Sequence, residues 1–104
     1  MKTLTMLSLF VLLLASCTEK EELETYSYSQ TSCADKWGTS ANDSITRKNL
    51  IHYLDSLKLY VADVTIKQET AGMTCQACNC LTGRVIYVTT FEAMKEQYME
   101  LGFK

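Results

Sequence analysis

Two stretches of the chain predict strands, one by the alternation of its residues and the other by its residue types. From Thr25 to Ser32, aromatic residues alternate with small polar ones, which is typical of a half-buried strand with Tyr26 and Tyr28 on one face. Arg84 to Thr89 is rich in β-branched and aromatic residues, which favour strands. We expect both segments to pack against a common core.

A helix and a further strand are predicted between these two stretches. Asn42 or Asp43 can cap a helix. Apolar residues at positions i, i+3, i+4 and i+7 then form one stripe, which consists of Leu50, Tyr53, Leu54 and Leu57. The period next changes to two, which predicts a strand whose inward residues are Tyr60, Ala62, Val64 and Ile66.

The C-terminal residues predict a second helix. Thr89 and Glu92 have the spacing of a capping box. A second apolar stripe follows, formed by Phe91, Met94, Tyr98 and Leu101. Gly102 stands where a left-handed C-cap residue is needed, and Phe103 can make the apolar contact of a Schellman motif.

The predicted element order is β-α-β-β-α, which indicates an α+β fold. It fits a ferredoxin-like split βαβ sheet that lacks its last strand. The first two strands are joined through a helix, so we expect them to be parallel, with the third strand between them. The missing strand would leave the edge of the first strand open to a partner strand.

The N-terminal residues predict a lipoprotein signal peptide over residues 1–16. Lys2 supplies a positive charge, and Met6 to Leu14 form an apolar run too short to span a bilayer. Leu14-Ala15-Ser16-Cys17 resembles a bacterial lipobox, which implies cleavage before Cys17 and lipidation of Cys17. The alternative is an ordinary signal peptide cleaved near Ala15.

Residues 17–24 predict a lipidated acidic tether, and residues 25–104 a single small domain. The Lys-Glu-Glu after the cysteine is similar to the surface-export signal of Bacteroidota lipoproteins, which implies the outer membrane and its outer face. The domain carries eight Lys and Arg against eight Asp and Glu. A neutral domain without a basic stripe argues against a nucleic-acid partner. The lipobox instead predicts the lipid bilayer as a partner, and the open edge of the first strand predicts a protein partner.

Four cysteines remain in the domain: Cys33, Cys75, Cys78 and Cys80. The predicted topology brings Cys33 and the loop that carries the other three to the same end of the sheet. Outside the inner membrane, oxidised cysteines are the default. Four cysteines allow three pairings, of which we favour Cys33–Cys80 with Cys75–Cys78 because Cys80 is nearest to the central strand.

Two other roles for these sulfurs stay open. The four thiolates could bind Zn(II) or Cu(I), with Met73 as an additional weak ligand for Cu(I). A bridge between Cys75 and Cys78 could also take part in thiol–disulfide exchange. A helix N-terminus, which lowers the pKa of the thiol in such proteins, does not follow this pair, since Asn79 to Gly83 predict a turn.

Part of the domain resembles a heavy-metal-associated domain. Asn49 to Leu57 is similar to the first helix of that family, Val61 to Lys67 to its second strand, and Gly83 to Phe103 to its third strand and last helix. Gly72-Met73-Thr74-Cys75-Gln76-Ala77-Cys78 looks like the family's copper-binding Gly-Met-x-Cys-x-x-Cys. In that family, however, the motif lies between the first strand and the first helix, where this chain has only Cys33.

The whole chain also resembles small Cys-rich Bacteroidota lipoproteins. The shared features are the lipobox, Cys33-Ala34-Asp35-Lys36-Trp37-Gly38, Cys75-x-x-Cys78-x-Cys80-x-Thr82-Gly83-Arg84 and a Gly-Phe end.

No nucleophile–base set or carboxylate pair is apparent, so the sequence predicts a non-enzymatic binding module without a cofactor. His52 should lie in solvent, whereas Trp37, Tyr26, Tyr28, Met94 and Tyr98 should belong to the core.

Overall fold

The computed structural model describes residues 22–104, which form an α+β domain. Its elements are β1 (Leu23–Thr31), α1 (Asp43–Ser56), β2 (Asp63–Gln68), β3 (Leu81–Phe91), a 3-10 turn (Glu92–Met94) and α2 (Lys95–Glu100). The predictions for residues 1–16 and for Cys17 concern residues outside this described part.

The three strands form one sheet in the order β1-β3-β2. Both outer strands are antiparallel to β3, so β1 and β2 run parallel to each other, as predicted. Val88 stands at the centre of the register, opposite Tyr26 on one side and Val64 on the other. The ends of β1 and β2 therefore lie at the same end of the sheet, together with the start of β3.

One face of the sheet packs against both helices and carries the core. Because side chains alternate across a strand, the inward residues of each strand are two apart. The buried core consists of Tyr26, Trp37, Leu50, Leu54, Val64, Ile86, Val88, Tyr98 and Phe103. Tyr28 and Met94 are partly buried against it, which confirms the predicted core residues.

Helix α1 begins as predicted and ends earlier than the apolar stripe. The side chain of Asn42 accepts a hydrogen bond from the Ser44 amide at 2.9 Å. Leu50 and Leu54 are completely buried. The prediction for Leu57 was wrong, because the helix ends at Ser56 and the side chain of Leu57 is exposed.

Two strand boundaries differ from the prediction. Tyr60 and Ala62 are exposed and precede β2, which begins at Asp63, so the inward pattern holds only for Val64 and Ile66. Strand β1 begins at Leu23, inside the predicted tether. Leu23 is part of the sheet because it stands opposite Phe91, the last residue of a β3 longer than predicted.

The predicted capping box at Thr89 and Glu92 was wrong. Thr89 lies within β3, where its hydroxyl is hydrogen-bonded to that of Thr25 at 2.9 Å. The Glu92 amide donates to the carbonyl of Glu22 instead. Pairing with β1 thus extends β3 through Phe91, and the helical turn starts only afterwards.

The predicted C-cap of α2 is confirmed, and the chain then returns to β1. Gly102 has a φ of +101°, and the Phe103 amide donates to the Tyr98 carbonyl, which completes a Schellman motif. Lys104 and Ser27 exchange both backbone hydrogen bonds, at 2.8 and 3.0 Å. The sequence predicted an open edge at β1. The edge is less open than that, because Lys104 pairs with Ser27 near the middle of the strand.

Candidate functional site

The position of Cys33 is determined by a buried carboxylate at the end of β1. Asp35 is only 6 % exposed. It accepts hydrogen bonds from the Thr31 amide, the Thr31 hydroxyl at 2.7 Å and the Tyr28 hydroxyl at 2.8 Å. The Ala34 amide donates in turn to the Thr31 hydroxyl oxygen. These contacts close a tight turn on both sides of Cys33.

This turn perturbs the ionisation of Tyr28. Burial raises the pKa of its phenol far above the usual value of 10.0, and the hydrogen bond to Asp35 and the negative charge of that carboxylate raise it further. A phenolate at this position would face a carboxylate. Tyr28 therefore acts as a neutral hydrogen-bond donor throughout the physiological pH range.

The other cysteines lie on the segment Glu69–Cys80, which is called the Cys loop here. Gly72 and Gly83 lie at the base of this loop. Gly83 has a φ of +84°, and its carbonyl accepts the amides of Glu69 and Thr70. A Cβ atom on Gly83 would collide with the Thr70 carbonyl, and one on Gly72 would lie 2.8 Å from the Thr82 carbonyl. The absence of a Cβ atom at Gly72 and Gly83 therefore allows the backbone segments at the base of the loop to pack against each other.

The Cys loop continues the pairing between β1 and β3 beyond the strands themselves. The Ser32 amide donates to the Cys80 carbonyl at 2.8 Å, and the Cys33 amide donates to the Cys78 carbonyl at 3.0 Å. The disulfide Cys33–Cys78 joins these two segments, and a second disulfide, Cys75–Cys80, closes a ring within the Cys loop. Their Cα atoms are 4.5 and 6.2 Å apart, respectively, within the usual range for a disulfide.

The four cysteines converge as predicted, but the favoured pairing of Cys33 with Cys80 and of Cys75 with Cys78 was wrong. A turn from Ala77 to Cys80, closed by a backbone hydrogen bond of 3.2 Å, folds the chain back. That turn brings Cys78 opposite Cys33. Cys80 is buried, at 5 % exposure, and is bonded to Cys75. Cys80 directly precedes β3 in the sequence, but it is Cys78 that lies opposite Cys33 in the structure.

Every residue from Glu69 to Asn79 is exposed to solvent. Met73 is the most exposed of the large apolar side chains in the described residues, at 62 %. Its amide donates to the Leu81 carbonyl, so the backbone beneath the side chain is held in place. The Cys loop therefore presents a fixed surface, since disulfides and backbone hydrogen bonds restrain it at several points.

The alternative metal site requires free thiolates from Cys33, Cys75, Cys78 and Cys80, with Met73 as a further ligand. In the structure, all four sulfurs are in disulfides. Within residues 22–104, no group of three or more His, Cys, Asp or Glu side chains is placed to hold a metal ion. The exposed side chains of the Cys loop include amides, hydroxyls and one thioether.

Two further residues lie where the sequence predicted them. His52 is exposed on α1. Trp37 is buried, with its ring 4.7 Å from that of Tyr28 and 6.2 Å from that of Phe103. Trp37 therefore belongs to the core, and we assign it no ligand-stacking role.

Sequence reasoning missed the polar residues that shape this end of the sheet. Asp35 appeared in the sequence only as part of a shared motif, and its contacts with Thr31 and Tyr28 are seen only in the structure. Gln30 is 2 % exposed, and its side-chain oxygen Oε1 accepts a hydrogen bond from the Thr82 hydroxyl at 2.9 Å. The position of Gln30 in the strand pattern did not indicate that its side chain would bind Thr82.

In the part of the chain that the structure describes, neither helix has the length and apolar character needed to cross a membrane. Comparisons with protein-family models, with curated proteins and with solved structures found no match. The class of protein is therefore defined by the fold and the site alone. Residues 22–104 form a small α+β domain with an exposed loop that contains one disulfide and is tied to the end of β1 by another.

Proposed function

We propose that this protein is a lipid-anchored, non-enzymatic binding module of the bacterial outer membrane. Its binding surface is the Cys loop. The observation that carries the proposal is the run of exposed residues from Glu69 to Asn79, which one disulfide ties to the end of β1 and a second disulfide closes into a ring. A surface that is both exposed and rigid loses little conformational entropy on binding a partner.

The direction of β1 supports this arrangement. The strand begins at Leu23, directly after the predicted tether, and ends at Thr31, beside the Cys loop. Nine residues of strand separate the two ends by roughly 26 Å. A lipid on Cys17 would hold the first end near the bilayer, and the Cys loop would then face away from the membrane.

We further propose that the domain is a ferredoxin-like split βαβ fold. The order of elements and the position of β3 between β1 and β2 support this assignment. The mutual hydrogen bonds of Ser27 and Lys104 lie where the last strand of that fold would pair. A partner strand at the edge of β1 would have to displace Lys104, so we place the main binding surface at the Cys loop.

The anchor is tested by the mass of the protein purified from bacterial membranes. We expect a lipid-modified N-terminus at Cys17 that incorporates labelled palmitate, and we expect Cys17→Ser to lose the label. An unmodified chain cleaved near Ala15 would contradict the anchor.

The state of the four domain cysteines is tested on the same preparation. Digestion without reduction should link the peptide that contains Cys33 to the one that contains Cys75, Cys78 and Cys80. Fragmentation should then assign Cys33–Cys78 and Cys75–Cys80. Free thiols with stoichiometric copper or zinc would instead support the metal-binding alternative. A bridge that exchanges readily with glutathione would support a redox role.

The binding surface is tested by photo-crosslinking in intact cells. A photoreactive amino acid is placed at Met73, and a matched control variant carries it at His52, which is also exposed but lies on α1. We expect a discrete adduct at Met73 that is absent at His52 and is lost when the disulfides are reduced. The same adducts at both positions would contradict a role for the Cys loop.

A further inference from the structure

A partly exposed apolar cluster lies at the end of the sheet opposite the disulfides. It consists of Leu23, Tyr60 and Phe91 and is called here the entry patch. Leu23 stands opposite Phe91 in the register of β1 and β3. The rings of Tyr60 and Phe91 stack with centroids 4.5 Å apart and an angle of 13° between their planes. Leu23 is 53 % exposed and Tyr60 is 46 % exposed.

The entry patch is held in place by the buried core beneath it. The Tyr60 carbonyl accepts hydrogen bonds from the Thr90 hydroxyl at 2.5 Å and the Tyr98 hydroxyl at 2.8 Å. Both donors belong to buried residues. The hydrogen bonds therefore fix the backbone that carries the partly exposed ring of Tyr60.

The length of chain before the entry patch favours a lipid bilayer as its partner. Only five residues lie between Cys17 and Leu23, and the six residue steps from one to the other can span at most about 22 Å even when fully extended. An acyl chain on Cys17 would therefore keep the entry patch close to the bilayer surface. Aromatic and leucine side chains of this kind favour the interface between headgroups and acyl chains.

Charges around the entry patch narrow the choice of lipid. Glu22, Glu24, Asp63 and Glu92 lie beside it at the ends of the three strands. These carboxylates would repel anionic headgroups. Zwitterionic headgroups that offer ammonium groups, such as phosphatidylethanolamine, would instead be compatible with an acidic rim.

We propose that Leu23, Tyr60 and Phe91 insert into the interfacial layer of a zwitterionic bilayer as a second membrane contact. This proposal rests on the lipid anchor proposed above. The lipid would attach the chain only through the tether, and a second contact would bring the domain itself to the bilayer surface. It also fixes the orientation of the domain, so that the Cys loop faces outward.

The test uses the full-length lipidated protein in vesicles of phosphatidylethanolamine and phosphatidylcholine with brominated acyl chains, which quench tryptophan. Tyr60→Trp places a reporter in the entry patch, and Met73→Trp is the matched control in the Cys loop. Trp37 is buried in the core and supplies a constant background. We expect the added fluorescence to be quenched at least twofold more for Tyr60→Trp than for Met73→Trp.

A second reporter, Leu23→Trp, protects the test against misfolding of the first variant, because Leu23 is the more exposed side chain. Equal quenching of the reporters, in protein whose mass shows the lipid on Cys17, would overturn the entry-patch proposal and leave the anchor intact. A mass without lipid would overturn both proposals. Weak quenching together with a dimer that Leu23→Ser dissociates would identify a second copy as the occupant and overturn the membrane contact.

Discussion

At the scale of single residues, a carboxylate and two glycines shape the site as much as the cysteines do. Asp35 fixes the turn that carries Cys33, and its hydrogen bonds reach both the backbone and Tyr28. Gly72 and Gly83 allow the base of the Cys loop to pack backbone against backbone. The disulfides therefore join segments that hydrogen bonds already hold in register.

The hydrogen bond from Tyr28 to Asp35 should contribute stability that depends on pH. Because the pKa of Tyr28 is raised on folding, its contribution is complete below the unfolded pKa, near 10, and declines as the pH rises further. We expect Tyr28→Phe to lower the free energy of unfolding by about 1–2 kcal/mol at pH 7. The difference from wild type should then narrow above about pH 10.

Urea unfolding at pH 7, 9, 10 and 11, followed by Trp37 fluorescence, measures this difference. Tyr26 and Tyr98, whose pKa values are also raised by burial, are present in both proteins and should largely cancel. A difference that widened at alkaline pH would show that neutral Tyr28 is not the stabilising species.

At the scale of elements, β1 is the strand to which the rest of the domain is attached. It pairs with β3 along its length, accepts Lys104 at Ser27, and ends in the turn that presents Cys33. The short helix α2 depends on this strand as well. Its C-cap at Gly102 lies against the Tyr28 ring, and Phe103 packs 5.3 Å from the same ring.

Replacing Gly102 by alanine should therefore destabilise the domain in two ways. Its φ of +101° is costly for a residue with a Cβ atom, and that atom would lie 3.2 Å from the Tyr28 ring. Gly38 is the matched control, because it has a φ of +85° but no atom within 4 Å of the added Cβ. We expect Gly38→Ala to cost about 1 kcal/mol and Gly102→Ala about 2 kcal/mol in urea unfolding. Equal costs would show that contact with Tyr28 is unimportant.

At the scale of the whole molecule, the domain has two different ends joined by one sheet. One end carries the two disulfides and the Cys loop, and the other carries the entry patch and the connection toward Cys17. A small domain of this kind buries little apolar surface, so covalent links are an important part of its stability. The two disulfides should not contribute equally.

Removing Cys33–Cys78 should cost about twice as much as removing Cys75–Cys80. The first disulfide joins residues 45 apart in the sequence and the second joins residues 5 apart. In the chain-entropy description, these loops correspond to roughly 4 and roughly 2 kcal/mol. The double variants C33A/C78A and C75A/C80A are compared by urea unfolding. A larger loss in C75A/C80A would contradict the observed pairing or its entropic effect.

The sequence alone determined the order of elements, most of the core and the end of the sheet where the sulfurs meet. Those features depend on local periodicity and on the direction that a crossover connection imposes on β1 and β2. The Asn42 cap and the Schellman motif at Gly102 were also predictable, because each depends on a few neighbouring residues.

Only the tertiary structure decided which cysteines pair, where β3 ends and what occupies the edge of β1. Cys33 pairs with Cys78 because one turn in the Cys loop shifts the register against β1. Glu22 and Leu23 keep Thr89 in a strand although its spacing from Glu92 favours a helix cap. In each case, residues distant in the sequence supply the hydrogen-bond partner, and a local pattern contains no information about that partner.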